Sequence, residues 1–134
     1  MTRDQLEAHR RLQKKLNKAR AIYNEQEERA HPGAQRIDGM PRGRGNVRKV
    51  EDLGIDLAEL SRLLGLDALE REVSRSRPPI DAYIETLEDP DQRLVVGLRI
   101  LRALSWKEVA VFCGREYTEG SVKRLFFKAV KPLQ

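Results

Sequence analysis

The chain has 134 residues, of which 40% are apolar, 35% charged and only 5% aromatic, with a net charge of +5. That mixture favours an all-α fold of helices with charged outer faces over a β-sandwich. The length suits one compact domain, or a small domain with a helical extension, more than a typical enzyme.

A single cysteine, Cys113, excludes an intrachain disulfide; sitting in the apolar run from Val109 to Phe112, it reads as a small core residue. No apolar run approaches the roughly 18 residues of a membrane span. Met1-Thr2-Arg3-Asp4 is followed by no hydrophobic stretch, so no signal peptide, no membrane partner and a cytoplasmic location are expected.

The charge is unevenly spread. Residues 1–50 carry 13 basic and 6 acidic side chains, residues 51–96 carry 5 and 12, and residues 97–134 carry 8 and 3. Two basic ends flank an acidic middle. Basic segments meet polyanions through counterion release, which makes nucleic acid the first partner to consider; the alternative is a solvated basic face.

Residues 3–29 contain no Gly or Pro and read as one long, charged helix within a first segment, 1–30. Leu12, Leu16, Ala19 and Tyr23 recur at steps of four, three and four, with Leu6 and Ile22 near the stripe. Such a narrow seam belongs to a coiled coil or a helical hairpin and needs a partner, either a later segment or a second copy of the chain.

Residues 31–49 form a basic break, with two prolines and four glycines between His31 and Gly45. Arg42 and Arg44 lie in it. It is either an arm that touches phosphates or a minor groove, or a solvated linker.

Residues 50–77 return to an acidic amphipathic helix, with Val50, Leu53, Leu57, Leu60 and Leu64 in a three-four rhythm. Gly65 either softens one helix or joins two. Asp56 with Glu59, and Asp67 with Glu70, have capping-box spacing. The leucine seam is a natural mate for the first helix in an antiparallel pair, and Pro78-Pro79 is expected to end it.

Residues 80–134 are the densest segment. Ile80, Tyr83, Ile84 and Leu87 mark a short helix. Asp89-Pro90 is a cap followed by proline at the first helical position, opening a helix striped by Leu94, Val95, Leu98, Leu101 and Leu104. Ser105 caps the next, with Glu108 at capping-box spacing and Trp106, Val109, Ala110 and Cys113 inward. Gly114 ends it. Thr118 caps a last helix with Val122, Leu125, Phe126 and Ala129 inward, and Pro132 stops it.

Two short helices in this order, with small Ala110 at the crossing and Gly114 at the turn, build a helix-turn-helix, whose second helix lays its N-terminal residues in a DNA major groove. The stretch from Ile84 to Leu133 resembles region four of bacterial sigma factors. Thr118-Glu119-Gly120-Ser121-Val122-Lys123 is similar to that family's opening of the recognition helix, and Leu87, Asp89, Arg93 and Val96 resemble the helix before it. With its long charged first helix, the Gly39-Met40-Pro41-Arg42-Gly43 break and the Ser105-Trp106-Lys107-Glu108-Val109-Ala110 helix, the whole chain resembles small phage-encoded transcriptional regulators of the RinA and ArpU kind. The resemblance implies a DNA-binding domain of three or four helices and control of phage genes, with double-stranded DNA as partner. One departure is the spacing from Ala110 to Val122: twelve residues where about ten are usual, so Arg115-Glu116-Tyr117 carries roughly two extra. The promoter-melting regions of a complete sigma factor are absent.

On this reading Glu119, Ser121, Lys123 and Arg124 are the candidate base contacts, since Arg and Lys read guanine and a carboxylate can accept from cytosine. Lys107, Arg115, Lys128, Arg42 and Arg44 are candidate phosphate contacts. Trp106 is expected to anchor the core or an interface. Phe127 stands off the inward stripe and either packs on the preceding helix or marks a dimer contact.

No catalytic constellation, cofactor or metal site is expected. His9 and His31 fall on a charged helix and in a loop, without ligands at metal spacing, and the glycines at 39–45 lack a phosphate-loop ending. A second helix-turn-helix rhythm at Leu57–Leu66 is followed by acidic residues that suit phosphates badly. The rival to a DNA-binding transcriptional regulator is a protein-interaction or oligomerising module, such as a phage small terminase subunit or a factor that binds RNA polymerase.

Overall fold

The computed structural model describes residues 1–30 and 49–134, and the described residues are helical, with no strand among them. The elements are α1 (Arg3–Ala30), a 3-10 turn (Val50–Leu53), α2 (Leu57–Leu64), α3 (Leu66–Glu85), α4 (Pro90–Val96), a π-helical segment (Gly97–Leu101), α5 (Trp106–Cys113) and α6 (Glu119–Val130). No described helix is long and apolar enough to cross a membrane. The basic Gly/Pro break, with Arg42 and Arg44, lies outside the described residues.

The start of α1 is fixed by a reciprocal cap. The Gln5 amide donates to Thr2 Oγ1 at 3.1 Å, and the Thr2 amide donates to Gln5 Oε1 at 2.8 Å, which satisfies two of the helix's orphan donors. Asp4 in the first turn and Arg29 in the last complement the helix dipole.

The chain divides into two compact units, one of residues 1–16 and 69–134, the other of residues 17–68. The first unit therefore joins the expected C-terminal domain to the opening turns of α1 and most of α3. Its core gathers Leu6, Ile80, Val95, Val96, Ile100, Val109, Ala110, Val122, Phe126, Ala129 and Val130. Polar ties hold the edges: Tyr83 Oη donates to the Ala129 carbonyl, and the Arg3 guanidinium donates to the carbonyls of Val130 and Lys131, each at 3.2 Å. That cation answers the negative end of α6, whose last carbonyls have no intrahelical partner.

In the second unit, the Val50 amide donates to Gln26 Oε1 at 2.9 Å. Asp56 caps α2 by accepting from the Glu59 amide at 2.8 Å, and Gly65 closes it in the left-handed conformation, φ 67°. Ala19, Leu60 and Leu66 are buried, whereas Leu53 and Leu63 are exposed.

Several expectations are corrected. Of the two readings of residues 50–77, the structure has two helices joined at Gly65, with a separate 3-10 turn ahead of them; the expected stop at Pro78-Pro79 is overturned, because α3 runs through both prolines to Glu85. The prolines withhold the amides that would bond the carbonyls of Ser74 and Arg75, but those two residues are exposed, so water can satisfy the freed groups. The short helix expected from Ile80 is thus the end of α3, where Ile80 is anchored in the core.

Asp67 lies inside the first turn of α3 and is not its cap. His9, on the charged first helix, is 1% exposed, and Gln13 is buried too; the seam of α1 runs Leu6, His9, Gln13, Leu16, Ala19, while Ile22 is exposed. Leu94, expected inward, is exposed, and Val95, Val96 and Ile100 are the buried residues. Leu98, Leu101 and Leu104 of the expected stripe are partly buried against the same core, so the stripe holds from Val95 onward and fails at Leu94, which lies in α4 ahead of the π segment.

Candidate nucleic-acid interface

α5 and α6 are each opened by a reciprocal cap. Ser105 Oγ accepts from the Glu108 amide at 3.2 Å while Glu108 Oε1 accepts from the Ser105 amide at 3.0 Å. The hydrogen bond from the Ser105 amide, and then one from its side chain, favour the ionised form and hold the Glu108 carboxyl below its usual range. At α6 the Ser121 amide donates to Thr118 Oγ1 at 3.1 Å, and Ser121 Oγ accepts from the Thr118 amide at 2.8 Å. The two caps set where each helix begins, and hence which side chains each presents.

α6 packs on both α4 and α5. Val109 and Val122 are fully buried, and Ala110 leaves room for the crossing. Trp106 meets Phe126 edge-on with ring centroids 5.2 Å apart. The Arg99 guanidinium, carried on the π segment, lies 4.1 Å from the Trp106 ring centroid and donates to the Leu104 carbonyl at 2.9 Å. A cation over an indole face adds roughly 0.5–2 kcal/mol according to how dry it is, so Arg99 steadies the residue on which α5 and α6 meet. Burial, and then the neighbouring Arg10, pull its pKa down.

The turn spans Gly114 to Thr118 and carries the extra length read from the sequence. Gly114 takes φ 117°, ψ 176°, a backbone state that glycine alone adopts without strain. The Tyr117 amide donates to the Gly114 carbonyl at 3.1 Å, and the Tyr117 hydroxyl donates to the Asp91 carboxylate, which pushes the phenol's pKa up. The longer turn is thus tied to the first turn of α4. Cys113 is half-buried beside it, and burial raises its thiol pKa.

The proposed contacts sort into three groups. Lys107, Arg115 and Glu119 come together with Val111, Gly114 and Tyr117 around an open groove of about 350 Å³ between α5 and the start of α6. Lys123, Arg124 and Lys128 stand exposed on α6, Arg124 opposite its buried face of Val122, Phe126, Ala129 and Val130 and the two lysines to either side of it. Ser121 differs: its hydroxyl also donates to the Thr118 carbonyl at 2.9 Å and the residue is half-buried, so its polar capacity goes to the cap. It positions α6 and is withdrawn from the candidate base contacts.

Sequence reasoning missed Arg99 and Asp91. Two arginines inside the apolar run Leu94–Leu104, Arg99 and Arg102, were the available signal for the first; nothing local pointed Asp91 at Tyr117, 26 positions away in the sequence. Comparison with known proteins gives no match: no family model, curated protein or solved structure matches the chain.

Proposed function

We propose that this chain is a sequence-specific binder of double-stranded DNA that acts as a transcriptional regulator, with α6 as the helix that enters the major groove. The observation that carries this reading is the pair of capped helices α5 and α6 around a Gly114 turn, with Lys123, Arg124, Lys128 and Lys131 exposed on the outer side of the second. A capped, rigidly backed helix with a cationic outer face has the form and charge that a groove walled by phosphates accepts. The groove lined by Lys107 and Arg115 places two further cations beside the N-terminus of α6, where backbone phosphates would run. The resemblance to small phage-encoded regulators supports phage or prophage genes as the target, and the long α1 is the element that a second copy of the chain or host RNA polymerase would meet.

The double variant Lys123→Ala, Arg124→Ala tests the reader. Both side chains are exposed, so circular dichroism and thermal stability should stay as in the parent. Affinity for a selected duplex should fall by at least tenfold, because a good base contact is worth roughly 1–3 kcal/mol. Unchanged affinity would remove α6 as the reading helix.

A further inference from the structure

Phe127 is 56% exposed in the middle of α6, although a large aromatic ring is the side chain that most gains from burial. Its place on the helix explains what it faces. Gly120, Arg124, Phe127 and Lys131 follow at steps of four, three and four, so they form one stripe opposite buried Val122, Phe126, Ala129 and Val130. Lys123 and Lys128 flank that stripe and are exposed. The ring is held in place: its centroid lies 5.4 Å from Phe126, edge-on, and 6.1 Å from Trp106. Gly120, at the head of the stripe, has no Cβ to hold a partner away.

An apolar ring set among four cations is unlike the core of a protein–protein contact, where lysine is depleted. It matches a surface that offers an apolar group between phosphates. The major groove of DNA has such a group, the 5-methyl of thymine. We propose that Phe127 is a specificity-determining residue that packs against a thymine methyl, or two adjacent ones, in the groove that α6 occupies. The inference rests on the DNA-binding reading above and adds to it the base that the apolar side chain selects.

The test uses the full-length chain and duplexes that it selects from a random library. Each thymine of the selected site is replaced in turn by deoxyuridine, which removes the methyl alone. Affinity of the parent should fall about fourfold at one or two positions, the worth of one buried methyl group. Phe127→Ala should bind the thymine and uracil duplexes equally, Phe127→Leu should keep part of the difference, and Lys123→Ala should bind more weakly with the thymine-to-uracil ratio unchanged. Duplex binding that is indifferent to every uracil, a selected site with no fixed thymine, or a ratio that survives in Phe127→Ala would overturn the role of Phe127 and leave the DNA-binding reading intact. A shift in oligomeric mass on Phe127→Ala would also overturn it, by making the ring a contact between copies. Absence of salt-sensitive duplex binding would overturn both readings.

Discussion

His9 shows how much a single side chain's environment departs from the character of its helix. It sits among Arg10, Arg11, Lys14 and Lys15 in sequence, yet its ring is buried and its Nδ1 lies 2.5 Å from Ser76 Oγ. Its Nε2 is enclosed without a hydrogen-bond partner, which is expensive for a neutral ring and more so for a charged one. Burial, then the nearby Arg77, push its pKa below the ordinary 6.5, and Asp81 pulls weakly the other way. The unfolded chain therefore takes up the proton before the folded one does. The stability this neutral His contributes is complete above about pH 6.5 and is lost as pH falls from there toward the lower folded pKa. The melting temperature should drop between pH 7.5 and 5, and His9→Gln should drop less over that interval. Equal pH slopes in the two proteins would show that His9 does not titrate on unfolding.

At the scale of elements, the turn between α5 and α6 decides where the exposed cations of α6 point. Gly114 has open space where a Cβ would go, and its φ is +117°. The expected cost of Gly114→Ala is therefore backbone strain and not collision, about 1–3 kcal/mol, read by chemical denaturation. A neutral substitution would mean that the turn relaxes, and with it the spacing that the two extra residues impose.

The same elements show what the sequence could convey. Caps were readable because they depend on a few adjacent residues: Asp56, Asp89, Ser105 and Thr118 all accept from the helix amides that their positions imply. The long uninterrupted α1 was readable for the same reason. Pro78-Pro79 misled, because whether a helix survives two missing donors depends on whether water reaches the freed carbonyls, and that is a tertiary fact. The stripe from Leu94 was readable in Val95, Leu98, Leu101 and Leu104, which are buried or packed against the core; it took in the exposed Leu94 and passed over the buried Val96 and Ile100. In the site, Lys123, Arg124 and Lys128 were readable as exposed from the inward stripe, whereas the commitment of Ser121 to its cap and the hold of Arg99 on Trp106 required coordinates.

At the scale of the whole molecule, charge and architecture agree in part. The unit that holds α5 and α6 also holds the cationic stretch of residues 97–134, with 8 basic and 3 acidic side chains. An excess so placed acts over about a Debye length, roughly 8 Å at physiological salt, so only cations that come close to phosphates contribute to affinity. The acidic residues 51–96 weigh against unselective capture of polyanions by the whole surface, which makes a defined cationic face, and not net charge, the element that the proposal depends on. The most direct measurement is therefore the affinity of the full-length chain for a selected duplex and for a scrambled duplex across a series of salt concentrations. Affinity should fall steeply with salt for both duplexes, with a clear preference for the selected one at every concentration, and the slope should become shallower by about one for each phosphate contact removed, as in Lys107→Ala or Arg115→Ala. No binding to either duplex at low salt, or binding whose salt slope is unaffected by these substitutions, would contradict the proposal.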